Sequence, residues 1–374
     1  MVNQIREAQK LGQSIWYDNV RRGLLVSGEI AELIKTGVTG LTSNPTIFEK
    51  AISESSDYDE ALMALAMKGH TAEQAFEELA ITDIRNVADL LRQVYDDTHG
   101  CDGYASLEVS PSLAHDTNAT VAEALRLFAK LDRPNVMVKV PATPEGIPAI
   151  QQLIAKGVNI NVTLLFDLEA YRNVRNAYSG GLEQLQASGG DLSKVASVAS
   201  FFVSRVDTAI DALLEAKIQN GDSGFEYLLG KAAIANATLA YRDFRQTVSE
   251  QRFGALQKAG AQVQRPLWAS TGTKNPSYSD VLYIESLIGP DTVNTAPPAT
   301  MANFLDHGEV KPTIADYIEE AEQLMADLGN AGVSITEVTE KLLSDGVKSF
   351  TDSFNALIAN VEEKKNHLLS KAIR

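Results

Sequence analysis

A lysine sits in the middle of an apolar run. Lys139 lies in VMVKVPA (136–142), flanked by Val138 and Val140, and the β-branched content of that run reads as a strand. Lysine is almost never fully buried without a partner. Either its stem snorkels to water at the strand end, or its amine is there to react. Burial favours the neutral amine of a lysine, and that form attacks a carbonyl carbon to make a Schiff base. Such chemistry needs companions. A proton donor must expel water from the carbinolamine, an acid/base must move protons as a C–C bond breaks or forms, and substrate hydroxyls need hydrogen bonds.

Other apolar runs carry groups of those types. Asp18 ends SIWYD (14–18), Asn44 closes GLTSN (40–44), and Glu108 interrupts YASLEVS (104–110). Asn161 and Thr163 stand two apart in NINVTLLF (159–166), so a strand points both to one side. Ser200 lies in VASVASFFVS (195–204) and Ser270 in PLWAST (266–271). Each alone has a plain structural explanation. Asp18 and Asn44 suit caps or turns, Glu108 suits a strand edge, and the serines suit tight packing. Together they form a set: Glu108 and Thr163 can hold a water near Lys139, Asp18 can deprotonate a hydroxyl, and Asn44 and Asn161 can bond hydroxyls or the carbinolamine. An anion has its own candidates in Arg205, within FFVSRVD, and in the loop from Ser270 to Asn275, where Gly272 lets backbone N–H groups approach and Lys274 adds charge. STGTKNP lacks the spacing of a nucleotide P-loop.

These runs need a scaffold that brings them together. With TVNTAP (292–297) there are eight, separated by amphipathic stretches such as AEQAFEELAITDIRNVADLLRQVY. Strand and helix alternating eight times predict an α/β fold of the (β/α)8 barrel type, in which strand-end groups converge on one face. An open doubly wound sheet usually shows a G-x-G-x-x-G turn, and none occurs here. We read residues 1–374 as one barrel domain, with 330–374 as C-terminal helices that lie over the barrel mouth or make a dimer contact.

Composition narrows the partners. The 374 residues include 33 Lys and Arg against 49 Asp and Glu, a net charge of −16, which argues against nucleic acid or an anionic membrane surface. A small anionic substrate needs only local cations. With Cys101 as the one cysteine, neither an internal disulfide nor a cysteine zinc site is possible. His70, His99, His115, His307 and His367 show no metal-binding spacing, so no metal is expected. No secretory leader and no run of 18 apolar residues is evident, so the expectation is a soluble cytoplasmic protein, monomer or homodimer.

The residues, in this order, resemble the transaldolase family over nearly the whole chain. TGLTSNPTIF (39–48) is similar to the family signature around T-[ST]-N-P, VMVKVPATPEGI (136–147) to the one around the Schiff-base lysine, and NVTLLF (161–166) to the strand that follows. The length and KNPSYSDVLYIESLIGPDTVNTAPPATM resemble the longer bacterial subgroup. The resemblance implies a barrel of the class I aldolase superfamily. It also implies transfer of a dihydroxyacetone unit from sedoheptulose 7-phosphate to glyceraldehyde 3-phosphate in the pentose phosphate pathway, with no cofactor. Lys139 is then the Schiff-base residue, Asp18 the acid/base for the C–C bond, and Glu108 and Thr163 the holders of the catalytic water. Asn44, Asn161 and Ser200 would bind hydroxyls or the intermediate, Phe202 would line the pocket, and Arg205, Ser270 and Lys274 would take the phosphate. Two departures stand out: SFFVSR has Phe201 and Ser204 where the family commonly has Pro and Gly, and TGTK follows Ser270 where the shorter type has Arg. Two alternatives remain. A fructose 6-phosphate aldolase is much shorter and has Gln and Tyr at the positions of Glu108 and Phe202. A non-catalytic phosphosugar-binding barrel would not need the set Asp18, Lys139, Glu108 and Thr163.

Overall fold

The computed structural model describes residues 3–372. Eight parallel strands close into a barrel in chain order: β1 (Gln13–Tyr17), β2 (Gly40–Leu41), β3 (Tyr104–Glu108), β4 (Val136–Pro141), β5 (Ile160–Leu165), β6 (Ser197–Phe202), β7 (Arg265–Ala269) and β8 (Thr292–Ala296). Closure is made by β1 on β8, with Gln13 opposite Thr292 and Tyr17 opposite Ala296. This is a (β/α)8 barrel, as the alternation of runs predicts.

Side-chain alternation explains why these strands carry both core and polar groups. On β1, Ser14, Trp16 and Asp18 share the inward side. Ser14 bonds Asp102 at the barrel bottom, Trp16 fills the middle, and Asp18 stands at the top beside Thr42. Trp16 fits because β2 opposes it with Gly40, where a Cβ would lie 2.4 Å from the ring. On the outer side, Phe201 of β6 meets Trp268 of β7 edge to face at 6.3 Å, and Tyr171 of the surrounding helix Leu168–Ala187 at 5.8 Å. That packing accounts for Phe201: the position is an outward core site that rewards a large ring.

The observed strands are shorter than the runs where a helix begins at once. GLTSN shrinks to Gly40–Leu41 because Asn44 caps the helix Pro45–Ser53, its side chain accepting from Ile47 N at 3.0 Å with Pro45 at the first position. VASVASFFVS ends at Phe202 because Ser204 opens the helix Ser204–Gln219. Conversely, β7 starts one residue early, at Arg265, a charged residue kept inside by Asp102 at 3.4 Å.

After β8 come the helices Pro298–His307, Ile318–Asn330 and the 38-residue C-terminal helix Ile335–Ala372. The last lies across the barrel mouth. Ser353 accepts from the Thr46 hydroxyl at 2.9 Å, Asn360 donates to Glu49 at 2.7 Å, and Phe354 meets Phe76 at 6.0 Å.

Candidate active site

The strand register sets the site. Glu108 of β3 pairs with Lys139 of β4, and Lys139 with Asn161 of β5, so three polar groups lie at one level on three consecutive strands. Lys139 is buried. Its Nζ donates to the Ser43 carbonyl at 2.9 Å and lies 3.6 Å from Glu108 Oε2. Thr163 is two residues further along β5, so it stands one level above Asn161 on the inner face. Neither Glu108 Oε2 nor Thr163 Oγ1 has a hydrogen-bond partner among the described residues. Leaving a buried polar atom unbonded costs about 1–3 kcal/mol, so both oxygens are poised to hold a water or a substrate hydroxyl on either side of the lysine.

Two carboxyl groups flank the amine. Burial raises the Asp18 pKa, opposed by the Thr42 hydroxyl donating at 2.6 Å and by the charges of Lys139 and Lys274. Burial likewise raises Glu108, opposed by Lys139 and reinforced by the charge of Asp18. A carboxyl group held above its ordinary range keeps its proton to higher pH and is the stronger base once ionised.

A cavity of about 100 Å3 opens above the lysine. Asp18, Asn44, Lys139, Thr163, Ser200 and Phe202 reach it from the strand ends, and Arg205 and Ser270 reach it from the loops beyond. Glu108 and Asn161 sit beneath it. Asn161 accepts from Ser200 at 2.7 Å and donates to Ser106 at 3.1 Å, which fixes the orientation of its amide. Asn44 is both helix cap and cavity residue: its oxygen serves the cap, leaving the amide N–H groups for a ligand. Larger grooves exist, including one of about 900 Å3 between the helices Gly146–Ile154, Leu168–Ala187 and Ile335–Ala372, but none of the polar strand-end groups that line the small cavity reaches it. The polar strand-end groups converge on the small cavity.

The loops after β6 and β7 bring Arg205 and Ser270 to the cavity. Ser270 adopts φ +56°, and its hydroxyl lies 2.9 Å from that of Ser204. The serine that replaces the family's usual glycine thus adds a hydroxyl beside Ser270. Arg205, the second residue of Ser204–Gln219, stands at a helix N-terminus, where the backbone favours anions. It makes no ion pair among the described residues, and burial pulls its pKa down. Lys274 is exposed and stands outside the cavity wall, although its charge acts on Asp18.

Four participants escape the run-by-run reading. Thr42 and Thr295 line the cavity and share a 2.7 Å hydrogen bond, which orients the Thr42 hydroxyl used by Asp18. Both are polar residues in or beside apolar runs, so the same rule applied to TVNTAP and to the middle of GLTSN finds them. The Ser43 carbonyl and Phe350 leave no such trace, since one is backbone and the other a ring on a distant helix. Among the described residues no group of three or more His, Cys, Asp or Glu side chains is placed to hold a metal ion.

The fold is a (β/α)8 barrel with a lysine buried beside a carboxyl group at the ends of its strands. The family model described as Transaldolase/Fructose-6-phosphate aldolase matches residues 15–361, and the chain belongs to this family. It is 44% identical to the transaldolase of Trichodesmium erythraeum, over 98% of this chain and 99% of that protein. It is 49% identical to the transaldolase of Saccharopolyspora erythraea, over 94% and 95%, and 45% identical to transaldolase 2 of Nostoc sp., over 97% and 98%.

Proposed function

We propose that the chain is a transaldolase of the pentose phosphate pathway, moving a dihydroxyacetone unit from sedoheptulose 7-phosphate to glyceraldehyde 3-phosphate and giving erythrose 4-phosphate and fructose 6-phosphate. The observation that carries this is Lys139 Nζ, buried between Glu108 and the Ser43 carbonyl and facing a cavity that Asp18 also enters. In this reading residues 1–374 act as one catalytic unit, in the cytoplasm.

The neutral amine of Lys139 attacks C2 of the ketose and forms a carbinolamine. Glu108, through a water held with Thr163, protonates the carbinolamine hydroxyl, which leaves as water and yields the iminium. Asp18 then takes the proton of the C4 hydroxyl. The C3–C4 bond breaks, its electron pair passes into the iminium, and the aldose departs, leaving a three-carbon enamine on Lys139. The enamine carbon attacks the acceptor aldehyde, Asp18 returns its proton to the new hydroxyl, and hydrolysis by the reverse of the first steps frees the ketose. Asn44, Asn161 and Ser200 hold hydroxyls or the intermediate, and Phe202 walls the pocket. Arg205 and Ser270 bind the phosphate, with Lys274 at the rim.

Borohydride trapping with fructose 6-phosphate, followed by peptide mass spectrometry, tests this. A three-carbon adduct on Lys139 is expected, and a folded protein without one overturns the covalent mechanism. Adding erythrose 4-phosphate in a coupled assay separates transfer from simple cleavage: release of free dihydroxyacetone instead of sedoheptulose 7-phosphate would make the chain an aldolase.

A further inference from the structure

Arg205 is held in an unusual way for a half-buried cation. Its guanidinium carbon lies 5.3 Å from the ring centroid of Phe202 and 5.9 Å from that of Phe350. No carboxylate pairs with it among the described residues, and all three side chains line the same cavity. A carboxylate would hold a guanidinium firmly, but would neutralise it and occupy its N–H donors. An aromatic ring attracts the cation through its quadrupole within about 6 Å and leaves those donors free. Two rings hold the guanidinium from two directions while its N–H fork can turn toward an oxyanion.

One ring belongs to the barrel and the other does not. Phe202 ends β6, three residues before Arg205, so its position is fixed by the strand. Phe350 comes from the C-terminal helix and is itself 5% exposed. One turn earlier on the same helical face is Gly346. A Cβ there would lie 3.0 Å from a Leu164 methyl and 3.6 Å from Arg205 Nη1. Leu164 is itself held at φ +57° where the β5–β6 register shifts, which projects it toward the helix. Glycine at 346 therefore lets the helix approach closely enough for Phe350 to reach the guanidinium.

From this geometry we propose that Phe350 is a positioning residue for substrate specificity, which with Phe202 clamps Arg205 in the orientation that favours phosphorylated over unphosphorylated sugars. The inference rests on the phosphate role given to Arg205 above. Phe350 touches no reacting atom, so its effect falls on recognition of the phosphate and not on Schiff-base chemistry.

The test compares Phe350→Leu, Phe350→Tyr, Gly346→Ala and Arg205→Ala, using the KM for fructose 6-phosphate, kcat, and the inhibition constant of inorganic phosphate. Phe350→Leu removes the ring while keeping much of the volume. It is expected to raise KM and the phosphate inhibition constant about tenfold, with kcat within about twofold. Phe350→Tyr keeps the ring and restores values near those of the parent. Gly346→Ala keeps the ring but lifts the helix, and raises both constants in the same direction by about threefold. This provides a second route if the Leu variant folds poorly. Arg205→Ala serves as the control, with a larger rise in both. If Arg205→Ala raises both constants while Phe350→Leu and Gly346→Ala leave them unchanged, or if Phe350→Leu lowers kcat and leaves them unchanged, the clamp is overturned and the phosphate site stands. If Arg205→Ala leaves both constants unchanged, the phosphate reading fails and the clamp fails with it.

Discussion

At the bottom of the barrel, Asp102 uses both carboxylate oxygens. One accepts from Ser14, the other accepts from Trp16 at 2.7 Å and lies 3.4 Å from Arg265. Arg265 in turn donates to Ser14 and to the Cys101 carbonyl, each at 2.7 Å. At the top, Glu108 and Lys139 stand 3.6 Å apart, and among the described residues Glu108 Oε2 has no hydrogen bond and Arg205 no carboxylate partner. Similar residue types are buried at both ends of one set of strands, yet one end satisfies its charges internally and the other leaves them for a ligand. This matches the division of a (β/α)8 barrel into a face for stability and a face for chemistry. It also shows that a buried charge is not itself a signature of function. What differs between the two ends is the pairing of charged groups, since the neutral amide oxygens of Gln13, Asn135 and Gln264 near the strand starts also lack a partner among the described residues.

The contrast can be broken at either end. The largest effect is expected for Lys139→Ala, which removes the nucleophile: turnover falls at least about 10^4-fold, no adduct is trapped, and the thermal midpoint does not fall. A lowered midpoint would mean the amine contributes to stability like the bottom network. Asp18→Asn slows C–C cleavage by about 10^2- to 10^4-fold while the borohydride-trapped adduct still forms; loss of the adduct would place Asp18 before Schiff-base formation. The mirror experiment is Asp102→Asn, which leaves Arg265 buried and unpaired. It should lower unfolding free energy by about 3–5 kcal/mol, measured by denaturant titration, with kcat of the folded enzyme unchanged within about twofold. A large kcat loss would erase the division between the ends.

Asp207 sharpens the comparison from outside the barrel. It lies on Ser204–Gln219, accepts from Ala233 N at 2.7 Å and from the Tyr283 hydroxyl at 2.8 Å, and forms no ion pair among the described residues. Burial, with the nearby charge of Asp211, pushes its pKa up to about 7. In the unfolded chain it ionises near pH ~4, so between about pH 4 and 7 the folded state binds the extra proton. The stability contribution is present at low pH and is lost as pH rises through about 7. Asp207→Asn should therefore gain stability relative to the parent on going from pH 5 to pH 8, by denaturant titration at both; a pH-independent difference would mean the carboxyl is not shifted. The smallest effect is expected at the rim. Lys274 is exposed, so Lys274→Ala should raise the KM for phosphorylated substrates only about two- to threefold, and less at high salt. A tenfold rise would place Lys274 inside the phosphate site.

The strands were legible because a buried parallel strand is an apolar run, and the polar groups were legible because they break it. Lys139 and Glu108 were visible for that reason, as were Asn161, the register partner of Lys139, and Thr163 two residues further on. Arg265 broke the rule at a strand start: its partner Asp102 lies more than 160 residues away in sequence, and no local pattern announces such a pair. Strand ends were legible to within a few residues, because Asn44 and Ser204 belong to helices that start where the run stops. The Ser43 carbonyl that receives the lysine proton carries no side-chain signal. Of the C-terminal segment, sequence could say that it is helical; that it covers the mouth follows from contacts such as Thr46 with Ser353, which pair opposite ends of the chain.

Phe350 is synthesised after every strand of the barrel. The first strand cannot find its closing neighbour until Ala296 has been made, and 54 more residues separate that point from Phe350. At about 5–20 residues per second, the barrel can close some 3–11 s before its roof arrives. During that interval the lysine pocket is open to water and the guanidinium is clasped on one side only. The helix that carries Phe350 is the last element of the described chain to be made.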